Sequence, residues 1–277
     1  HAGSEATIRA LELGAFDFIA KPDEATVEAN LGYLTDKITR MINVLKRQLE
    51  MRKMFKKDRT FKAATPPATG AAPTTPAKTA PAFKRTEKSA VVALGISTGG
   101  PNALAKVLPQ LPGDIGVPIL LVQHMPPVFS ASLATSLNKK CALTVKEAED
   151  GDKVELNTVY IAPGGKQMKV TTGASMTKII RITDDPPENN CKPAADYLIR
   201  SVARIYGAKT TCVIMTGMGT DGKLGVTVAR AAGAITIAQD AATSVVYGMP
   251  KAVIDAGMAN VVAPLDRIAS EILKTLK

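Results

Sequence analysis

The sequence predicts an α/β fold, a doubly wound and mostly parallel sheet with helices on both faces. Two observations carry this. Residues 89–277 alternate short, β-branched apolar runs with stretches of helical spacing, the pattern of strands covered on both sides. The chain has 277 residues, 45% of them hydrophobic, which is enough to bury such a sheet. A smaller, partial α/β fragment precedes the sheet across a linker.

The elements follow in order. Residues 5–13 have helical spacing and stop at Gly14. Residues 15–20 read as a short strand ending at Lys21-Pro22. Residues 24–50 form an amphipathic helix, with Val27, Leu31, Leu34, Ile38, Met41, Ile42 and Leu45 recurring every three or four positions. This helix–strand–helix fragment, residues 1–57, is too small to make a core alone. Residues 58–88 are a linker whose centre, 63–82, is rich in Pro, Ala and Thr and has nothing to bury. Residues 89–277 form the main domain. Strand 90–96 breaks at Gly95, Gly99 and Gly100 into a helix through Leu108, with Pro101 in its first turn. Strand 118–124 ends at His124, and a helix covers about 128–138. From Leu143 to Ile182 the pattern alternates, with turns at Gly151, Gly164-Gly165 and Gly173, and predicts an antiparallel insertion. Lys192-Pro193 opens a helix to Tyr206. Strand 211–215 runs into a glycine-rich loop and a helix to Ala232. Strand 234–238, helix 244–256, strand 260–263 and helix 264–275 close the chain.

Composition narrows the function. The net charge is +10, split into +6 over residues 1–88 and +4 over 89–277. Ten basic residues lie between Lys37 and Lys62, but Phe55 and Phe61 are the only aromatics there, so a nucleic-acid surface is not expected. No run nears the ~18 apolar residues of a membrane span. Cys141, Cys191 and Cys212 are widely spaced and, with two histidines in the chain, form no zinc pattern. No metal or cofactor is expected, and a reducing cytoplasm suits an odd, widely spaced set of cysteines.

The chemistry gathers at strand ends, where open α/β sheets place their sites. Gly95, Ser97 and Gly99 fit the G-x-S-x-G spacing of a nucleophile elbow, with helix-start N–H groups beside it to hold an oxyanion. His124 ends the next strand and has the pKa of about 6.5 that suits a base. A third group must orient the imidazole. Asp221, past strand 211–215, and Asp240, past strand 234–238, are the two candidates. A rival reading takes Gly217, Gly219 and Gly222 as a dinucleotide fingerprint with Asp240 on a ribose hydroxyl. It leaves the Ser97 corner and His124 unexplained.

Two resemblances extend this. Residues 10–22, Ala-Leu-Glu-Leu-Gly-Ala-Phe-Asp-Phe-Ile-Ala-Lys-Pro, are similar to the last third of a response-regulator receiver domain. The match implies that Lys21 would contact a phosphoryl group; the family's acidic residues lie upstream of it. Residues from about Ala90 to Ile272 resemble the catalytic domain of chemotaxis protein-glutamate methylesterases of the CheB type. The matching stretches are Gly95-Ile-Ser-Thr-Gly-Gly-Pro101, Val122-Gln-His-Met-Pro-Pro-Val-Phe129, Lys146-Glu-Ala-Glu-Asp-Gly-Asp152, Tyr160-Ile-Ala-Pro-Gly-Gly-Lys166, Met215-Thr-Gly-Met-Gly-Thr-Asp-Gly222, Ala238-Gln-Asp240 and Val245-Val-Tyr-Gly-Met-Pro250.

The second resemblance implies a Ser-His-Asp triad of Ser97, His124 and Asp221, with the Met218 N–H as oxyanion donor and Thr98 lining the site. It implies a cytoplasmic hydrolase of glutamate γ-methyl esters, and of certain glutamine amides, on chemoreceptor cytoplasmic domains. A histidine kinase would be a partner where a complete receiver is present. A docking module without catalysis is the non-enzymatic alternative. The sequence departs from the family where Arg-Pro-Ser-Val-Asp reads Lys192-Pro-Ala-Ala-Asp196 and Pro-Gly-Asp-Lys-His reads Pro163-Gly-Gly-Lys-Gln167. The changes at Lys192, Ala194, Gly165 and Gln167 bear on substrate placement, because Lys192 keeps the charge of arginine without its bidentate fork.

Overall fold

The computed structural model describes residues 2–19, 21, most positions from 26 to 46, and 87–277. Two compact units divide the chain: His1–Phe18 with Phe83–Lys277, and Ile19–Ala82. In the second unit the described residues from 27 to 46 are helical, Thr26 before them is a bend, and Lys21 is exposed. Most of the predicted linker lies outside the described residues.

The first unit is built on seven parallel strands. They are β1 (Val91–Ile96), β2 (Ile119–Gln123), β3 (Thr144–Glu147), β4 (Thr158–Ile161), β7 (Thr210–Ile214), β8 (Ile235–Gln239) and β9 (Val261–Ala263), in the order β3-β4-β2-β1-β7-β8-β9. A separate antiparallel pair joins β5 (Gln167–Thr172) to β6 (Lys178–Thr183). The helices are α1 (Ala2–Glu12), α2 (Gly100–Val107), α3 (Phe129–Asn138), α4 (Ala195–Tyr206), α5 (Lys223–Ala231), α6 (Met249–Asp255) and α7 (Ile268–Lys274).

All six residues of β1 are buried, and they alternate between two cores because successive side chains point to opposite faces. Val92, Leu94 and Ile96 pack with α2, α3 and α7. Val91 and Ala93 pack with α4, α6 and the β5–β6 pair. The doubly wound sheet is thus present as expected. Strand order reverses across β1, which has β2 on one side and β7 on the other. That crevice, at the carboxyl ends of β1 and β7, is where such sheets carry their sites.

The predicted antiparallel insertion is smaller than the alternation suggests. β4 runs parallel to β2 and β3 parallel to β4, so the antiparallel part is the 167–183 pair, with residues 151–154 bridged to its second strand. Alternation reports a pleated, half-covered surface and does not encode direction. The helix expected from 244 starts only at Met249. Val246 is hydrogen-bonded to Thr216 and Gly217 in a bend, and Val245 packs on Gly99, so the chain stays out of the helix to brace the Ser97 corner. Helix α1 ends before Gly14, whose φ is 110°, and buries Ile8 and Leu11 in the core of α2 and α3. Residues 15–19 are not a strand. Extended chain becomes a strand only with a ladder partner; here Phe18 instead packs against Phe129, ring centroids 4.5 Å apart and planes tilted by 39°.

Candidate active site

Three strand ends converge on Ser97. Its N–H donates to the Thr216 carbonyl (2.9 Å) past β7, and the His124 N–H past β2 donates to the Ile96 carbonyl (3.1 Å). Buried side chains then lock the corner. Gln123 Nε2 donates to the carbonyls of Ser97 (3.1 Å) and His124 (3.0 Å). Thr216 Oγ1 donates to the Thr98 carbonyl (2.9 Å), and the Thr216 N–H donates to Gln239 Oε1 (2.9 Å). Backbones approach so closely that side chains are excluded. A Cβ at Gly100 would stand 1.8 Å from Gln123 Oε1, and one at Gly217 would stand 2.7 Å from Ser97 Cβ. Gly99 sits at φ 77°, the left-handed region that costs glycine nothing. The glycines of the motif are therefore steric requirements of this corner.

His124 and Asp221 are in direct contact, with His124 Nε2 and Asp221 Oδ2 2.7 Å apart. Asp221 is almost wholly buried, and both oxygens are saturated. Oδ2 also accepts from the Ala195 N–H (2.6 Å). Oδ1 accepts from the N–H groups of Asp196 and Gly222 and from Asn189 Nδ2, each at 3.0 Å. Ala195 and Asp196 open α4, so the carboxylate sits at the positive end of a twelve-residue helix. Burial opposes its ionisation, but His124 and these backbone donors win, and its pKa falls below the usual carboxylate value.

For His124 burial is again the largest single influence and favours the neutral ring. The contacts with Asp221 and Cys191 together outweigh it, and the pKa rises to about 9. The unperturbed 6.5 expected from sequence is thus displaced by the imidazole's own partners. Because Nε2 faces Asp221, Nδ1 is the nitrogen left for chemistry. It stands 3.6 Å from Cys191 Sγ.

The remaining residues fall as follows. Ser97 lies one strand from His124, half-buried, its hydroxyl in no hydrogen bond to a described residue. Thr98 and Met218 are half-buried beside it, and the Met218 N–H donates to no described residue. Asp240 is not with this group. Its Oδ1 caps a turn, accepting from the Thr243 N–H (2.9 Å) and Oγ1 (2.6 Å). The Asp221-or-Asp240 choice therefore falls to Asp221. The loop of Gly217, Gly219 and Gly222 is likewise turned to Ser97 and Asp221, which disfavours the dinucleotide reading. Gln167 is fully buried, its Oε1 taking the Ala194 N–H (2.9 Å) and its Nε2 donating to the Pro186 carbonyl (3.1 Å), so it shapes the loop that carries Cys191. Lys192 pairs with Asp184 (3.2 Å). Gly165 donates its N–H to the Lys192 carbonyl (3.0 Å), and a Cβ there would stand 2.9 Å from Pro127.

Sequence reasoning missed Asn189, Asp196 and Cys191. Asn189 Nδ2 bridges Asp221 to Asp196 Oδ2 (2.9 Å). Asp196 is fully buried, and burial raises its pKa above the usual value. The one signal was the Asn189-Asn190 pair, a turn dipeptide that here adopts positive φ (52° and 58°).

Residues 92–272 match the family model described as CheB methylesterase. A protein-glutamate methylesterase/protein-glutamine glutaminase of Desulfotalea psychrophila is 51% identical over 281 residues, covering 99% of this chain and 75% of that protein. Its namesake in Pyrococcus horikoshii is 40% identical over 99% of this chain and 71% of its own length. The crystal structure of the Thermotoga maritima CheB methylesterase catalytic domain superposes with a TM-score of 0.66 at 41% identity, covering 68% of this chain and 99% of that one. With an elbow serine, a carboxylate-bound histidine and a matching sheet already in place, these likenesses show that the chain belongs to the CheB methylesterase family.

Proposed function

We propose that the chain hydrolyses glutamate γ-methyl esters, and deamidates glutamines, on chemoreceptor cytoplasmic domains. Ser97 is the nucleophile, His124 the base and Asp221 its orienting partner. The observation that carries this is the 2.7 Å His124–Asp221 bond beside the braced Ser97 corner. Asp221 fixes the proton on Nε2, so Nδ1 presents a lone pair. Ser97 Oγ attacks the ester carbonyl while Nδ1 takes its proton. The oxyanion is met by the Met218 N–H, with Thr98 beside it. Collapse expels methanol, protonated by His124, and leaves an acyl-serine. Water, deprotonated by the same Nδ1, then frees the glutamate and Ser97. A glutamine substrate differs only in expelling ammonia. A cytoplasmic setting follows from such a substrate, and no helix among the described residues is long and apolar enough to cross a membrane. A histidine kinase enters as partner only through a complete receiver.

The test is methanol release from methylated receptor membranes, comparing this chain with Ser97→Ala. Release that disappears in the variant is expected. Equal release from both would reject the mechanism.

A further inference from the structure

We propose that His124 and Cys191 form a two-residue site for a zinc-class divalent cation, and that its occupancy shuts the esterase off. The second half rests on His124 being the base; the first does not. The geometry comes first. Cys191 Sγ and His124 Nδ1 are 3.6 Å apart. A tetrahedral zinc with Zn–S of about 2.3 Å and Zn–N of about 2.0–2.1 Å holds its sulfur and nitrogen about 3.5 Å apart. The separation of the two atoms therefore matches that of two ligands on one such ion, Cys191 Sγ meanwhile donating to the Asn189 carbonyl at 3.4 Å.

The surroundings suit the same reading. His124, Cys191 and Asp221 offer donor atoms all within 4.8 Å of one another. Asp221 is not a ligand here, because its oxygens already take four N–H donors besides His124. It is the outer partner. A carboxylate holding one ring nitrogen fixes the tautomer and turns the other lone pair toward the metal, the arrangement metal-binding histidines favour. The His124 side chain is 13% exposed and Cys191 is half-buried, so water can complete the coordination. Sulfur and imidazole together favour zinc-class ions over magnesium or calcium.

Binding is balanced by protons. The Cys191 thiol releases its proton to solvent as the S–metal bond forms, and Nδ1 donates its lone pair; a protonated ring releases a second proton. Nδ1 is also the only ring nitrogen that can serve Ser97, since Nε2 is held by Asp221. A bound ion thus occupies the base itself.

The experiment uses the full chain carrying Cys141→Ser, which removes the other partly exposed thiol and leaves buried Cys212. Cd²⁺ alone is the optical probe, through its thiolate charge-transfer band, and buffered Zn²⁺ is the inhibitor. One equivalent of band is expected, and it should persist in the Ser97→Ala variant. It should vanish in both Cys191→Ser and Cys191→Ala. Zn²⁺ should halt methanol release, and Cys191→Ala should need roughly tenfold more for the same fractional inhibition, since a direct ligand should matter at least as much as an outer partner. No band, a band that survives both Cys191 variants, or equal fractional inhibition with and without Cys191 would overturn the site. A Cys191-dependent band on an enzyme that stays active would overturn the inhibition. A Cys191-dependent band on a chain that never releases methanol would leave the metal site standing and reject the proposed function.

Discussion

The two corners that meet at His124 are held in opposite ways. The Ser97 corner is fixed by backbone: strand ends, excluded Cβ atoms at Gly100 and Gly217, and the buried amides of Gln123 and Gln239. The 184–194 loop on the other side has a few backbone bonds, Glu188 with Cys191 and Gly165 with Lys192, and is otherwise fixed by side chains. Lys166 and Lys192 pair with Asp184, Arg200 pairs with Glu188, and Asn189 reaches in to the two buried aspartates. A nucleophile must be placed within tenths of an ångström, and close-packed backbone does that. A charge environment can be set by groups that are individually replaceable. Changes on the first side should therefore abolish turnover, and changes on the second should retune it.

The largest effect expected is from Ser97→Ala, a fall in kcat of roughly 10⁶-fold, the scale seen for triad nucleophiles. Asp221→Asn should follow at about 10⁴-fold, because the amide leaves the geometry and loses the charge and tautomer control. Gly217→Ala changes no chemical group, yet its Cβ would push on Ser97 at 2.7 Å and on Met249 Sδ at 2.4 Å. A displacement of that size should cost about 10²-fold in kcat. Turnover assays with circular dichroism as a folding control check all three. An active Gly217→Ala enzyme would show that the corner is softer than its packing implies.

How legible these corners were differs for the same physical reason. The elbow could be read because backbone crowding leaves a mark in sequence, namely glycine at fixed spacing around Ser97. The doubly wound sheet could be read because burial on both faces writes continuous apolar runs. The direction of β3 and β4 could not, since a pleat looks alike either way. Nor could the late start of α6, because Val245 and Val246 are held out of the helix by tertiary contacts with Gly99 and Thr216 that outweigh local preference. Cys191 was passed over since it lies 67 positions from His124, and side-chain pairs across such distances leave no spacing to find.

The pH profile separates the corners further. Nδ1 must be unprotonated to accept from Ser97, so log kcat/KM should rise with pH toward the His124 pKa of about 9 and then level. Stability runs the other way. A ring whose pKa is raised on folding contributes stability that is full below about 6.5 and is lost as pH rises through about 9. Asp221, shifted downward, contributes stability above its usual carboxylate value that is lost as pH falls below it. Cys191→Ala removes two of the influences that raise His124, so the acid limb of kcat/KM should move to lower pH. An unmoved limb would mean that Asp221, of the two side-chain partners, is the one that opposes burial.

The smallest effect should come from Lys192, where the family's arginine is replaced. Its ammonium donates to the Asp184 carbonyl (3.0 Å) and pairs with a carboxylate that is 71% exposed. Solvent screens an exposed pair of this kind, so Lys192→Ala should leave the melting temperature nearly unchanged. Its place beside Cys191 makes substrate binding the sensitive readout, with KM rising a few-fold and kcat held. Lys192→Arg restores the planar fork and should lower KM below that of the wild type if the loop meets a carboxylate on the receptor. Equal KM values for lysine, alanine and arginine would place this residue outside the substrate's path and confine the loop's influence to His124.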